Sequence, residues 1–550
     1  MALSLRAEQK SIYSIYTSGD EVYVIPNYQR PYSWGRDVCY QLFTDITDAF
    51  LNNEDYFIGN IVMARGRDEK KRPNIVDGQQ RLITLWLFLK VLTLLHPDKI
   101  RLRRTLEAES LLNDNDEPRI CSLVYEHDDQ RNIQNALKYT LQDLNVLYQN
   151  YADSKGMIRS GKCSRIEENI IYIGKWLSEF YERLGDNTRK EEFLSFFLEH
   201  VYLLPIELEG ETLHDADSKA LTIFETINNR GQSLEDSDIF KARLYEQAQK
   251  AHKEKEFVGY WVEFTNSCQE LSMTVDDLFR YYYHILRGKE GLTNNESSLR
   301  DYFTGSGNSA LSVRSYDEII DDLNIIIYYI SWLDKQRNTS SPYGKWLQLI
   351  DFYTNQYPKY ALINYLYTYG EEDSALLLSF MQMLVRYYYY RGATLQVKYE
   401  TYRINKMIAN EASVPNFDCS DFDTALLDNI GLLRNGFGLL AHYLLYPDSY
   451  IEKISFDRVI YERDLWQLSE DWFKTYSDFN DLRNNIGNIV VLDIPKQSFK
   501  TLSEKSKYYE TSQLGDVRTL FDADGVLHLD AFKERERKLK QTLLTFFQQK

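Results

Sequence analysis

The run Asp77-Gly78-Gln79-Gln80-Arg81 puts an acid, a glycine, two amides and a guanidinium within one turn of chain. Each can act on a charged or polar ligand. Arg81 can lay two parallel N–H groups on phosphate oxygens. Gln79 and Gln80 both donate and accept hydrogen bonds. Asp77 can cap a helix, hold a metal ion or orient a water. Gly78 lets backbone approach a ligand closely. The flanks place these side chains. A β-branched Ile75-Val76 precedes them and the apolar Leu82–Leu95 follows, so the motif is a strand-to-helix turn. The free N–H groups of a first helical turn favour an anion. The same residues also suit a capped helix with a solvated arginine, and the motif alone leaves both readings open.

A second polar cluster, Ile25-Pro26-Asn27-Tyr28-Gln29-Arg30-Pro31-Tyr32-Ser33-Trp34, follows the strand candidate Glu21–Ile25. Its two prolines make the backbone extended and stiff. Together the clusters supply two arginines and three glutamines for one pocket.

The pair "IPNYQRPYSW" and "IVDGQQRLITL" resembles the N-terminal signature of the GmrSD family of modification-dependent (type IV) restriction proteins. A third stretch, Ala220 to Leu234 with Asp238 and Lys241 beyond it, is similar to that family in the same order. The resemblance implies a ParB/sulfiredoxin-like domain that binds and hydrolyses a nucleoside triphosphate with Mg2+. It implies catalytic roles for Asp77, Gln80 and Arg81. Nucleotide binding would fall to Tyr28, Gln29, Arg30, Gly78, Gln79, Asn228, Arg230 and Lys241. Asn229-Arg230-Gly231 also reads as a simple helix stop.

Composition narrows the class. A chain of 550 residues has room for two to four domains. Its net charge of −18 argues against a generally basic nucleic-acid coat, though not against a local basic groove. The five cysteines are widely spaced and form no C-x-x-C pair, so neither a disulfide framework nor a zinc site is read. Residues 1–8 carry no secretory apolar run. Leu82–Leu95 is too short to span a bilayer. A soluble, cytoplasmic protein is expected.

The elements follow from periodicity. Residues 7–18 read as a short helix, Asp37–Leu51 as a helix, Tyr56–Ala64 as a strand, and Leu82–Leu95 as a buried core helix. Residues 98–200 read as mostly helical, Val201–Leu208 as a strand, Ser218–Ile227 as a helix, and Leu234–Gln249 as a helix capped by Asp236 or Ser233. Residues 1–250 are then one α+β domain with a helical insertion, and the chain as a whole is α+β and predominantly helical.

Residues 251–430 read as wholly helical, over Asp276–Arg287, Tyr316–Gln336, Trp346–Tyr357 and Leu376–Arg391. Within them Phe279–His284 and Arg386–Arg391 interleave basic and aromatic residues. That composition suits base stacking and equally suits helix packing.

Residues 431–550 form the last expected domain, and here the resemblance implies an HNH-type, metal-dependent nuclease. "IGNIVVL" at 486–492, "EKSKYYETS" at 504–512 and "ERERKL" at 534–539 look like its frame. Such chemistry needs a histidine to activate water. The family's Glu-His-hydrophobic-hydrophobic-Pro segment corresponds to Asp457-Arg458-Val459-Ile460-Tyr461. Arginine cannot act as a base near neutral pH. The lobe is therefore read as degenerate, with Asp457 and Asn488 as polar relics and Arg458 free to bind phosphate.

The resemblance implies anti-phage defence acting on foreign or modified DNA. A partner subunit or a second copy is a further expectation. Two alternatives stay open: a non-catalytic nucleotide-gated subunit, and an active nuclease using His442 or His528.

Overall fold

The computed structural model describes residues 5–19, 21–67, 72–108, 116–124, 128–213, 215–217, 219–220, 235–305, 307–337, 341–371, 374–392, 397–410, 419–429, 431–476 and 479–549. The chain forms two compact units, Met1–Val262 and Glu263–Lys550. The stretches expected as separate domains at 251–430 and 431–550 thus fall mostly within one unit. The fold is mixed α and β and mostly helical, with a small mixed sheet.

The strands of the first unit are β1 (Leu5–Ala7), β2 (Lys10–Ser11), β3 (Tyr23–Ile25), β4 (Tyr56–Gly66), β5 (Asn74–Asp77), β6 (Glu107–Ala108), β7 (Glu117–Pro118), β8 (Ile120–Ser122) and β9 (Val201–Gly210). The main sheet runs β1-β9-β4-β5-β3-β8, with β2 also on β9. β4 and β9 pair in parallel from Tyr56 opposite Val201 to Gly66 opposite Gly210. β5 runs antiparallel to β4 and parallel to β3. β3 is parallel to β8. β6 and β7 form a separate antiparallel pair.

Three helices of this unit matter most: α1 (Ile12–Tyr16), α2 (Arg36–Asn52) and α3 (Gln79–Leu95). α3 is the buried core helix that its sequence predicts. Residues Leu82 to Leu92 are buried on every side. Its one buried lysine, Lys90, reaches the carbonyl of Leu137 at 2.7 Å, since a buried charge needs a partner. Phe43 of α2 stacks on Phe88 of α3 at 6.3 Å and on Trp176 of the helix Arg165–Leu184 at 5.8 Å. This core holds the base of the turn at Asp77–Arg81 still.

Several expectations change. The expected helix at 7–18 is a helix only from Ile12 to Tyr16, because Leu5–Ala7 and Lys10–Ser11 pair with β9 instead. Such distant pairing leaves no trace in local periodicity. Ile120–Ser122 adds an edge strand inside the stretch read as mostly helical. The helix expected from Leu234 starts at Asp236, with Glu235 before it and no side-chain cap. Ser233, and nearly all of the helix expected at Ser218–Ile227, lie outside the described residues.

In the second unit, the described residues up to 429 form helices and no strand. The helix expected at Trp346–Tyr357 is split into Gly344–Asp351 and Tyr357–Tyr369, with Pro358 in the first turn of the second. The tyrosine-rich runs are core. Tyr282, Tyr283, Tyr388 and Tyr389 are fully buried. Their hydroxyls are satisfied locally: Tyr282 on Asp322 at 2.8 Å, Tyr389 on the Leu349 carbonyl at 2.8 Å. Packing, not base stacking, explains those residues.

The end of this unit holds an antiparallel pair, β10 (Ser455–Arg458) and β11 (Ile489–Leu492). The helices Arg434–Leu445 and Leu529–Gln548 pack beside it. Arg535 of the latter donates to the carbonyls of Gly487 and Ile489 at 3.1 and 2.8 Å. No described helix is long and apolar enough to cross a membrane.

Candidate functional site

β5 ends on Asp77 and α3 begins at Gln79. Gly78 between them turns the chain with φ +87°, in the region that favours glycine. A Cβ at this position would lie 2.5 Å from Cγ2 of Ile61 on β4. The turn is therefore pressed against its neighbouring strand. Gly78 provides no side-chain cap, which leaves the first N–H groups of a 17-residue helix without one.

Asp77 and Arg81 sit one turn apart, Oδ2 to Nη2 at 3.4 Å, each about a quarter exposed. Arg81 rests over Gly59, where a Cβ would meet Nη1 at 2.5 Å. Gly59 has φ +135° and follows an irregularity in the β4–β9 register, so the bulge clears room for the guanidinium. Burial raises the Asp77 carboxyl above its ordinary value. Arg81, the Gly78 N–H and Arg30 oppose that shift. The guanidinium of Arg30 acts on Asp77 through its charge, and no hydrogen bond or ion pair ties it down among the described residues.

The amides do different work. Gln80 is buried; its Oε1 accepts the N–H groups of Ser33 and Trp34 at 2.8 and 3.1 Å, and its Nε2 donates to Pro31 at 3.0 Å. Gln79 donates to the Arg30 carbonyl at 2.9 Å. Gln29 donates back to the Val76 carbonyl at 2.9 Å. Lys241 reaches the Gln29 carbonyl at 3.2 Å. These bonds hold the loop 29–34 against the turn 76–80 and position Arg30 beside Asp77. The structure thus gathers Tyr28, Gln29, Arg30, Asp77, Gly78, Gln79, Gln80, Arg81 and Lys241. Asn228 and Arg230 lie outside the described residues.

One group beneath this site escaped the sequence reading. Asn74, at the other end of β5, donates to Asp217 at 2.6 Å, and the Tyr28 hydroxyl faces the same carboxyl. Burial pushes the Asp217 carboxyl up to about 7. In sequence Asp217 stands among other charged residues, with no local spacing that marks its carboxyl for shielding.

The residues of the expected nuclease site lie in the other unit. Asp457 is buried and faces inward. Its oxygens accept from the Arg458 N–H at 2.8 Å, the Tyr461 hydroxyl at 2.5 Å and the Tyr509 hydroxyl at 2.8 Å. Lys496 and Lys505 stand 3.8 Å away. Asn488 is also buried and bonds the Ile460 backbone. Among the described residues no three His, Cys, Asp or Glu side chains gather as a metal-binding group.

Residues 10–245 match the family model described as GmrSD restriction endonuclease, N-terminal domain. The GmrSD match contains every residue of the Asp77 site, including Lys241, and stops before the second unit. The matched family is one of restriction endonucleases. No curated protein matches the chain.

Proposed function

We propose that this chain is an anti-phage defence protein of the cytoplasm that binds and hydrolyses a nucleoside triphosphate at the Asp77 turn, and that this step controls recognition of foreign or modified DNA. One observation carries the nucleotide reading. Arg30 and Arg81 flank Asp77 at the uncapped start of α3, inside the GmrSD match. Two cations and a helix N-terminus suit the phosphates of a nucleotide.

The residues divide into two roles. Arg30 and Arg81 bind and offset phosphate charge. Asp77 holds a proton acceptor at the turn and orients the attacking water. Gln29, Gln79, Gln80 and Lys241 position the Arg30 loop. Magnesium would shield the phosphates when carried in with the nucleotide, and Asp77 is the carboxylate of the turn that could hold it. A cation there would lower the raised Asp77 pKa.

Titrating the purified chain with each triphosphate, with and without duplex DNA, tests this reading. Arg30→Ala and Arg81→Ala are expected to weaken binding about tenfold or more each, the loss of a charge-assisted hydrogen bond. Asp77→Asn is expected to keep binding and lose turnover. Parent-like binding and turnover in all three variants would place the site elsewhere. A second reading, a nucleotide-gated subunit without hydrolysis, is favoured by the engagement of Gln80 in the loop. Parent protein that binds triphosphate and releases no phosphate would select it.

A further inference from the structure

The second unit brings three arginines together. Arg434 opens the helix Arg434–Leu445, Arg458 closes β10, and Arg483 lies in the last turn of the short helix Phe479–Asn484. Two junctions join these elements. Gly438, one turn after Arg434, faces β11, and a Cβ there would lie 2.7 Å from Cγ2 of Ile489. Ile489 is the cross-strand partner of Arg458. Residues four apart share a helix face, so Arg434 sits at the end of the face that packs on this pair. Asn488 makes the second junction. Its Nδ2 donates to the carbonyls of Ile460 and Leu482 at 3.0 Å each, and its Oδ1 accepts the Ile460 N–H at 2.7 Å. Leu482 precedes Arg483, and Ile460 stands two residues after Arg458.

Among the described residues no carboxylate answers this charge. Among the described residues, none of the three guanidinium groups has an ion pair or hydrogen bond. Asp457, the acid beside Arg458, is turned inward onto Tyr461 and Tyr509. Arg434 is half-buried, and burial together with the charges of Arg458 and Arg483 holds it below the ordinary arginine value. Arg458 is half-buried and Arg483 exposed, so the group faces solvent. Like charges held together without counter-charge disfavour the fold. An anion removes that cost.

We infer that Arg434, Arg458 and Arg483 form a phosphate-binding site that takes the backbone of duplex DNA. Guanidinium forks match phosphate oxygens, and three of them on separate elements suit neighbouring phosphates. None can take a proton from water, so the site grips without cutting. The anion site rests on where the three elements carry these arginines and on the charge they exert on one another. The choice of DNA among polyanions rests on the restriction-type reading above.

Two measurements on the full chain separate these parts. The first is the thermal midpoint in rising inorganic phosphate. The parent should gain more than the triple variant Arg434→Gln/Arg458→Gln/Arg483→Gln, and the variant without phosphate should melt no lower than the parent. The second is anisotropy of a short fluorescent duplex across a salt series. Each lost phosphate contact should reduce the slope of log K against log salt by about 0.9. Equal phosphate stabilisation of parent and variant would overturn the anion site. A phosphate effect with unchanged duplex affinity and slope would overturn DNA as its ligand. Triphosphate binding at Arg30 and Arg81 should survive in the triple variant, so failure of either site is visible separately.

Discussion

Asp217 shows what burial does to one carboxyl. Its pKa is about 7, against an ordinary 3.8, because it is removed from water and the Asn74 bond offsets only part of the loss. The direction of the pH effect follows. Below the ordinary value both folded and unfolded chains hold the proton. Between that value and about 7 the unfolded chain releases it while the folded chain keeps it. Stability should therefore fall as pH rises through this window and level off above it. The full effect is at most about 4 kcal/mol, from a shift of about three units. Asp217→Asn keeps the polar shape and cannot ionise. Its thermal midpoint should lose that downward slope. A parent and variant with parallel curves between pH 4 and pH 8 would mean that Asp217 is solvated.

The turn between β5 and α3 works as an element, and two substitutions probe it. Gly78→Ala forces a side chain into φ +87° and into Ile61. It should cost about 1–3 kcal/mol, read as a lower denaturant midpoint with unchanged slope. Gln80→Ala removes three hydrogen bonds from a buried amide and strands the N–H groups of Ser33 and Trp34. The expected loss is about 1–3 kcal/mol for each group left without water or a partner. The loop carries Arg30, so triphosphate affinity should fall along with stability. Gln80→Glu keeps the acceptor and should recover part of both. Full stability and affinity in Gln80→Ala would show that the loop is held by other contacts, such as Tyr32 on Asp129 and Asn169 on Trp34.

At the scale of the whole molecule, the chain alone should not cut DNA. Cutting needs a base to take a proton from water, and Arg458 stands at the position where the family resemblance places histidine. The other histidines of this region are engaged elsewhere. His442 is buried, bonds Ser449 and faces Asp516 at 3.5 Å, two turns along its helix from Arg434. His528 pairs with Asp522 at 2.6 Å at the start of the terminal helix. Loss of a general base typically lowers rate by about 10²–10⁴. Plasmid nicking with magnesium, manganese and nucleotide should show no cutting by the parent, His442→Ala or His528→Ala. Cutting by the parent that one histidine substitution removes would reveal a relocated active site. A gain in Arg458→His would mark the lobe as a decayed nuclease.

The sequence by itself determined the local features. The Asp77–Arg81 turn, the buried character of α3 and the helical stretch after residue 250 were legible because their periods and turn residues are short-range signals. The mostly helical α+β class followed from the same signals. Tertiary structure decided what those signals cannot carry. Leu5–Ala7 and Lys10–Ser11 became strands because β9, some 190 residues away, offers backbone partners there. Gln80 became a clamp because its buried amide bonds the backbone of Pro31, Ser33 and Trp34. Asp217 became a half-buried acid with a shielded carboxyl, and Arg434 and Arg483 came to Arg458, only when distant elements closed on one another. Burial and pairing set a side chain's charge and reach, and both arise from contacts that sequence spacing does not encode.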